Sequence, residues 1–309
     1  MKDIPLLLVV LGATATGKTR LAVKIAIEIN GEIISADSRQ VYKGLDLGTG
    51  KDLNEYKINT TDIPYHLIDI RSIDQTYSVY DFQRDALVAI EKIINKNKTP
   101  IICGGTGLYI EALLLNYKFN KFNPDVELRE KLSKMSIHEL DLILKQLDSN
   151  IIVEKNNRHR YIRAIEIALQ NNNNSNEQDI LEYNINKSLV FGIRYPRDML
   201  RERIHKRLLD RIEAGMIEEV KILLENNIDP NKLIAFGLEY KFITMYLLGK
   251  LTYDEMIDKL YTAICQFAKR QETWFRRMEK RNININWIDG RLEEEKKIKE
   301  ILNKINNEI

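Results

Sequence analysis

A glycine-rich stretch near the amino terminus carries the residue types that hold phosphate groups. Its members form the pattern G-x-x-x-x-G-K-T, and they are Gly12, Ala13, Thr14, Ala15, Thr16, Gly17, Lys18 and Thr19. In such a loop successive backbone N–H groups turn toward an anion, and the helix that follows adds its positive end. The Lys18 ammonium then reaches the terminal phosphates, while the Thr19 hydroxyl binds a magnesium ion. The spacing predicts a phosphate-binding P-loop but does not specify the phosphate compound.

The residues on either side of this loop have the pattern that a P-loop requires, a strand before it and a helix after it. The apolar run 6–11 leads directly into Gly12. After the loop, apolar residues recur three or four positions apart, as in one face of a helix; they are Leu21, Ala22, Ile25, Ala26 and Ile29.

Strand and helix patterns continue to alternate after the P-loop. We predict strands at 32–37, 65–70 and 99–103, and a helix over 77–97. Alternation of this kind predicts an α/β protein with a doubly wound parallel sheet, as in P-loop NTPases. Because strand ends and P-loop share the binding edge of such a sheet, Asp37 should face the same crevice as Lys18.

The middle of the chain has a different pattern. Strand signals disappear after residue 116, and the sequence becomes helical and polar until a strand returns at 188–193. We therefore expect a P-loop core in residues 1–116, a helical insertion in 117–186, and a continuation of the core with C-terminal helices in 187–309. The asparagine-rich run 170–176 is predicted to be a loop.

Two helical stretches combine an apolar face with regularly spaced basic residues. Arg203, Arg207 and Arg211 run beside an apolar seam, which makes them either a solvated helix face or a phosphate-binding row. Nearer the carboxyl end, a second set lies on one predicted helix and favours phosphate contact over simple solvation; it comprises Lys269, Arg270, Arg276, Arg277, Lys280 and Arg281. On that helix Phe267 is predicted to face the core, and Trp274 to anchor in it.

Composition limits the class of protein. The chain has 309 residues, of which 44% are hydrophobic and 30% charged, with a net charge of only +2. These values are typical of a globular protein with more than one domain. The two cysteines, Cys103 and Cys265, lack the spacing of a disulfide framework or a zinc site. No apolar run approaches the ~18 residues of a spanning helix, so we expect a cytoplasmic enzyme without a membrane partner.

Several motifs occur in one order along the chain: the P-loop, S-A-D-S-R-Q-V-Y (35–42), G-T-G-K (48–51), H-L-I-D (66–69), G-G-T-G-L-Y (104–109) and K-R-Q-E-T-W-F (269–275). Together they resemble the tRNA dimethylallyltransferase (isopentenyltransferase) family over essentially the whole chain. The resemblance implies transfer of a dimethylallyl group from dimethylallyl diphosphate to the N6 amine of the adenosine 3′ of the anticodon, tRNA position 37. It also implies Mg²⁺ and binding of the tRNA anticodon stem-loop. We expect a monomer, although the sequence itself does not give the oligomeric state.

The resemblance assigns roles to individual residues. Asp37 matches the general base, Lys18 and Arg207 match residues that grip the pyrophosphate, and Arg203 is a weaker candidate for that role. A magnesium-binding carboxylate is the alternative for Asp37, and Asp69 is a spare candidate for either role or a structural aspartate. Together with Lys269 and Arg270 of the basic helix, the matched tRNA contacts are Asp37, Ser38, Arg39, Gln40, Thr106, Arg129, His159, Arg160, Tyr161, Ile162, Arg163 and 235–239. His159 and Tyr161 are equally compatible with packing.

The chain departs from the family pattern at two places. It has A-F-G-L-E-Y at 235–240 where members commonly have A-I-G-Y-K-E, so contacts there would depend on Glu239, Tyr240 and Lys241 in a shifted register. It also has G-T-G-K instead of G-T-A-K at 48–51, which we do not expect to alter function. Three alternatives stay open: a P-loop small-molecule kinase, an adenylate isopentenyltransferase, and an RNA-binding protein with a regulatory P-loop.

Overall fold

The computed structural model describes residues 2–58, 60–119, 125–148, 151, 153, 157–173 and 183–308. The chain divides into two compact units. The first consists of Met1–Tyr117 together with Glu182–Ile309, and the second of Lys118–Leu181.

A six-stranded parallel sheet organises the first unit. In spatial order its strands are β10 (Ile285–Asp289), β9 (Ser188–Arg194), β2 (Leu7–Gly12), β7 (Thr99–Gly104), β3 (Gly31–Ser35) and β6 (Tyr65–His66). Two short pairs lie outside it, β1 (Lys2–Ile4) with β8 (Tyr183–Ile185) and β4 (Lys57–Ile58) with β5 (Thr61–Asp62). The predicted α/β fold with a parallel sheet is confirmed.

Helices of the first unit cover both faces of this sheet. The described helices are α1 (Lys18–Glu28), α2 (Val79–Ile94), α3 (Gly107–Leu114), α4 (Val126–Ser133), α5 (Ile137–Leu147), α6 (Arg158–Asn173), α7 (Arg197–Glu213), α8 (Met216–Glu225), α9 (Pro230–Phe236), α10 (Leu238–Leu247), α11 (Tyr253–Lys280) and α12 (Glu294–Glu308), with a 3₁₀ helix over Leu53–Tyr56. Leu8 and Val10 of β2 pack with residues of α1 and α12. The alternate residues Leu7, Val9 and Leu11 point to the opposite face and are also fully buried.

Two long helices of the first unit carry basic residues beside an apolar face. Helix α7 buries Leu200, Ile204 and Leu208, three residues four positions apart. Helix α11 begins with a capping box in which Thr252 and Glu255 satisfy each other's backbone N–H groups. None of the helices in the described residues combines the length and the apolar character needed to cross a membrane.

The second unit contains α4, α5 and α6. Its core includes Leu140, Leu144, Tyr161 and Ile165, which come from α5 and α6. Glu166 is fully buried there and accepts hydrogen bonds from Arg129 at 2.7 and 2.8 Å. A buried carboxylate needs such a partner, so this ion pair is part of the framework of the unit.

Two predictions of secondary structure are wrong. The strand predicted over 65–70 ends at His66, because Leu67 and Asp69 have φ angles of 63° and 56°, which extended backbone cannot contain. The predicted loop at 170–176 is helical as far as Asn173, the last residue of α6. Residues 174–176 of that prediction lie outside the described residues.

Candidate functional site

The P-loop connects the end of β2 to the start of α1. Gly17 has a φ of 79°, a left-handed conformation that glycine adopts without strain, and Ala15 shares it with a φ of 63°. Inside the loop the Thr16 hydroxyl donates to the carbonyl of Ala13 at 2.8 Å. Because α1 begins at Lys18, the loop and the free N–H groups of a helix terminus lie together, which is the geometry of an anion site.

Asp37 lies just beyond the carboxyl end of β3, on the same edge of the sheet as the P-loop. Its Oδ1 accepts a hydrogen bond from the N–H of Arg39 at 2.9 Å. The neighbouring Ser38 N–H donates to the hydroxyl of Thr106 at 3.1 Å, which ties this loop to the turn after β7. Asp37 and Lys18 both line one cavity, as expected for two residues at this edge.

Two cavities meet at the P-loop. The large cavity, about 550 Å³, is lined among others by Thr14, Asp37, Thr106, Gly237, Arg270 and Trp274. The small cavity, about 340 Å³, is lined among others by Gly17, Asp52, Glu55, Arg203 and Lys206. Both are also lined by Lys18, Thr19 and Arg207. A molecule in either cavity would therefore lie beside these three residues.

Arg203 and Arg207 of the α7 row contact the P-loop, so the row is more than a solvated helix face, although Arg203 is also exposed to solvent. Arg203 Nε donates to the carbonyl of Ala15 at 2.9 Å. One turn later, Arg207 Nη1 donates to the hydroxyl of Thr14 at 3.2 Å. Both guanidinium groups thus add fixed positive charge to the anion site.

The ammonium group of Lys18 lies among these charges. Burial lowers its pKa, and the neighbouring Arg207 lowers it further, against the opposing effect of Asp37 and Glu55. An anion bound in the P-loop favours the charged form of such a lysine. The site is therefore arranged to gain from binding phosphate.

Thr19 is the residue predicted to bind a metal, and it lines both cavities. Within the described ranges, no cluster of three or more His, Cys, Asp or Glu side chains forms a protein-only metal site. Magnesium commonly uses one or two protein ligands together with substrate phosphates and water. A hydroxyl in a P-loop fits that kind of site.

The basic helix α11 divides into two groups. Lys269, Arg270, Arg276 and Lys280 are exposed. Arg277 and Arg281 are exposed as well, but they pair with the buried carboxylate of Glu111 at 3.3 and 2.9 Å, so they are already committed within the protein. The expectation of phosphate contact therefore applies to the first group.

Two aromatic residues of α11 differ from prediction. Phe267 was expected in the core, yet its side chain is 38% exposed and lines the large cavity. Trp274 was expected as a core anchor, but it is only half-buried and lines the same cavity. Helix periodicity identifies the face they share with Ile264 and Gln271, but that face borders a cavity as well as the core.

The expected RNA contacts in the second unit differ in accessibility. Tyr161 and Ile162 are 4% and 7% exposed and pack in the core of this unit, so their side chains are unavailable and the packing interpretation applies to them. His159 and Arg160 are exposed at the start of α6. Arg163 and Arg129 both bond to Glu166.

The segment that departs from the family pattern borders the large cavity. Ala235, Glu239 and Lys241 line it. Tyr240 does not, because it is 1% exposed and its hydroxyl donates to Glu219 at 2.8 Å. A shifted register can therefore bring Glu239 and Lys241, but not Tyr240, toward a ligand. Burial raises the pKa of Glu239.

Asp69, the spare candidate for catalysis, has a structural role. Its carboxylate pairs with the ammonium of Lys51, which is 1% exposed and also donates to the carbonyl of Tyr42 at 2.8 Å. The same lysine pairs with Asp46 at 2.6 Å. These contacts fix the G-T-G-K loop, whose Gly48, Thr49 and Gly50 line the large cavity.

Gln271 contacts the P-loop, a role that its place in the K-R-Q-E-T-W-F motif did not predict. Its Oε1 accepts from the Thr14 N–H at 2.8 Å, and its Nε2 donates to the carbonyl of Gly105 at 3.0 Å. Gln271 lies on the same buried helix face as Ala268 and Phe275. A polar amide on an otherwise apolar face needs a hydrogen-bond partner, and this feature of the sequence could have indicated its contact with another part of the chain.

A family model and the sequence relatives of this chain indicate the same protein family. Residues 40–278 match the family model described as IPP transferase. The chain is 48% identical over 302 residues to tRNA dimethylallyltransferase 2 of Bacteroides fragilis, covering 97% of each chain. It is 50% identical over 285 residues to tRNA dimethylallyltransferase 2 of Treponema denticola, covering 91% of this chain and 94% of the relative.

Solved structures agree with this family. The full-length tRNA isopentenylpyrophosphate transferase of Bacillus halodurans superimposes with a TM-score of 0.69 at 34% identity, covering 97% of this chain and 95% of that one. A eukaryotic dimethylallyltransferase, solved in a study of its action on tRNA, gives a TM-score of 0.75 at 26% identity over 94% of this chain and 74% of that chain. The resemblance seen in the motifs is confirmed, and the chain belongs to the IPP transferase family.

Proposed function

We propose that this protein transfers the dimethylallyl group of dimethylallyl diphosphate to the N6 amine of the adenosine 3′ of the anticodon in tRNA, position 37. The products are N6-dimethylallyladenosine and diphosphate. The names of its relatives support prenyl transfer to tRNA. The observation that carries the proposal is that Lys18, Thr19 and Arg207 of the anion site line both a small cavity and the large cavity that contains Asp37, so that a diphosphate held there would lie beside both cavities.

The diphosphate of the donor belongs in the P-loop. As the bond between the allylic carbon and the diphosphate oxygen breaks, negative charge develops on the leaving group. The loop N–H groups, Lys18 and Arg207 are positioned to stabilise that charge, and Arg203 adds to the local field. In this proposal the P-loop binds a leaving group and is not a site for ATP hydrolysis.

Asp37 is the proposed general base. The N6 lone pair of adenine is delocalised into the ring, so the amine must lose a proton as its bond to the allylic carbon forms. That proton passes to the Asp37 carboxylate, and the electron pair of the broken carbon–oxygen bond leaves with the diphosphate. The Arg39 N–H bonded to Oδ1 of Asp37 orients the carboxylate.

Magnesium is the proposed cofactor. Bound at the Thr19 hydroxyl and the phosphate oxygens, Mg²⁺ would neutralise part of the diphosphate charge. Thr19 lies at the start of α1, next to Lys18, where this arrangement requires a hydroxyl.

The acceptor adenosine must leave its stack to reach Asp37. The large cavity, of about 550 Å³, is of a size to receive a base, and its rim includes Arg39 and Arg270. We propose that these residues, Lys269, and the exposed His159 and Arg160 of the second unit contact the RNA. We propose that the enzyme acts as a monomer.

The test is a choice of acceptor. The protein is incubated with labelled dimethylallyl diphosphate and Mg²⁺, together with unmodified tRNA, AMP or no acceptor. We expect label in tRNA at position 37 and none in AMP. Label in AMP alone would identify an adenylate isopentenyltransferase. In a parallel incubation with ATP in place of dimethylallyl diphosphate, ATP turnover on a small molecule, together with no label in tRNA in the first assay, would identify a kinase.

A further inference from the structure

Asp52 joins two arginines of α7. Its Oδ2 accepts a hydrogen bond from Nη2 of Arg207, and its two carboxylate oxygens lie 3.2 and 3.1 Å from Nη2 of Arg211. Through its other terminal nitrogen, Arg207 reaches the hydroxyl of Thr14 in the P-loop. The guanidinium of Arg207 is therefore held from two directions, by a carboxylate and by the anion site itself.

The loop that carries Asp52 is fixed on both sides. Lys51, the preceding residue, is buried and bonds to Tyr42 and Asp46. Glu219 accepts the backbone N–H groups of Asp46, Leu47 and Gly48. Asp52 itself has φ 44° and ψ 49°, a left-handed conformation that is uncommon for non-glycine residues but that aspartate adopts more readily than most. The position of its carboxylate is set by this framework.

Arg211 fits closely against the same loop. A Cβ atom on Gly50 would lie 2.1 Å from Nη2 of Arg211, so a side chain there would displace the guanidinium, and the φ of 66° at Gly50 also favours glycine. The Arg211 side chain is 12% exposed, and burial together with the nearby Arg207 lowers its pKa. Two adjacent guanidinium groups repel each other, and Asp52 is the carboxylate placed between them. Burial opposes ionisation of Asp52, but Arg211 and Arg207 outweigh it and lower the pKa of the carboxyl group.

We propose that Asp52 is a positioning residue for donor binding, which holds the Arg207 guanidinium in the orientation that meets the diphosphate in the P-loop. The inference rests on the proposed function, since Arg207 is taken to grip the diphosphate. According to this proposal, the Asp52 carboxylate favours binding of the diphosphate anion, because it orients the guanidinium of Arg207.

Charge alone predicts the opposite result. Removing a carboxylate from an anion site makes the potential more positive and should tighten diphosphate binding. Loss of orientation should weaken it, because a guanidinium displaced by about an ångström can cost up to about a hundredfold. The sign of the effect therefore separates positioning from simple electrostatics.

The experiment measures binding of inorganic pyrophosphate with Mg²⁺ by isothermal titration, together with kcat and KM for dimethylallyl diphosphate. For Asp52→Asn we expect pyrophosphate affinity to fall by between about tenfold and about a hundredfold. The matched control is Asp258→Asn, the same change at an exposed position on α11, for which we expect no change. Equal or tighter binding by Asp52→Asn would overturn the proposal.

A double-mutant cycle with Arg207→Gln tests the route of the effect. In the Arg207→Gln background, Asp52→Asn should change affinity by less than about twofold, because the residue through which it acts is gone. If Asp52→Asn lowered pyrophosphate affinity in the Arg207→Gln background as much as it does in the wild type, the proposal would also be overturned. If Asp52→Asn lowers the thermal midpoint sharply, Asp52→Ser replaces it in the same cycle.

These measurements separate the two proposals. Pyrophosphate binding needs no RNA, so the Asp52 result can be obtained even from a protein that prenylates no tRNA. In that case the proposed function fails while the positioning result stands. If the protein prenylates tRNA but Asp52→Asn binds pyrophosphate as tightly as the wild type, the proposed function stands and the positioning role of Asp52 is wrong.

Discussion

The side-chain oxygen of Gln271 accepts a hydrogen bond from the backbone N–H of Thr14 at 2.8 Å, and this contact links the last long helix to the P-loop. The same side chain holds the carbonyl of Gly105 beside it. A phosphate-binding loop is thus braced by a residue far away in the chain. The geometry of the anion site depends on the docking of α11.

The first prediction concerns this brace. Gln271→Leu leaves the part-buried N–H of Thr14 and the buried carbonyl of Gly105 without their partners, and the loss at the buried carbonyl costs about 1–3 kcal/mol. We expect KM for dimethylallyl diphosphate to rise at least about tenfold, with a lower thermal midpoint. Steady-state kinetics and thermal unfolding provide the measurements. Gln266→Leu, at an exposed position of the same helix, is the control and should change neither quantity. A Gln271→Leu enzyme with wild-type KM would contradict this role.

The second prediction concerns the general base. Asp37→Asn keeps an acceptor for the Arg39 N–H but cannot take a proton from the adenine amine. We expect kcat to fall by about 10²–10⁴-fold, while the dissociation constant for tRNA changes little. Single-turnover assays and filter binding measure the two quantities. Recovery of activity at high Mg²⁺ would instead support Asp37 as a metal ligand.

The third prediction concerns the exposed basic residues of α11. Replacing Lys269 and Arg270 by Gln should weaken tRNA binding and reduce the slope of log K against log salt by about 1 to 2. Pyrophosphate binding should stay near wild type. The control removes the same charge from the exposed Lys296 and Lys299 of α12 and should leave the slope unchanged. An equal effect of both pairs would indicate a general charge effect.

The fourth prediction uses the lowered pKa of Lys18, which follows from its burial and from Arg207. As pH rises from about 7 to about 10, Lys18 loses its proton earlier than a free lysine, which titrates near ~10.4. Pyrophosphate affinity should therefore fall over this range, with proton uptake on binding. Lys18→Arg keeps its positive charge over this range, so its affinity should change less with pH. Because titration of pyrophosphate itself affects both proteins equally, the difference between the two profiles reports on Lys18. Parallel profiles for the two proteins would contradict the prediction.

Sequence patterns predicted the parts of this protein that depend on local order. The P-loop follows from glycines at fixed spacing, and the burial of Leu8 and Val10 from an apolar run. The arginine row of α7 could be placed beside the seam by its periodicity. Whether that row faced solvent or the P-loop could not be predicted, because periodicity identifies a helix face and not what lies opposite it.

The errors have the same cause. Trp274 and Phe267 share the inner side of α11, and only the tertiary arrangement shows that a cavity lies there. Arg277 and Arg281 have the same helical spacing as Lys269, Arg270 and Arg276, yet both form ion pairs with Glu111, which lies on a helix distant in the sequence. The strand predicted past His66 fails because the left-handed conformation of Leu67 depends on its surroundings and not on its own preference.

The separation of the two cavities has a consequence for turnover. They share Lys18, Thr19 and Arg207, while the rest of each wall is different. In the proposed reaction, an RNA base in the large cavity and the diphosphate in the small one would contact different walls apart from these three residues. Substitutions in the walls that are not shared are therefore expected to change retention of one product and leave the other unaffected.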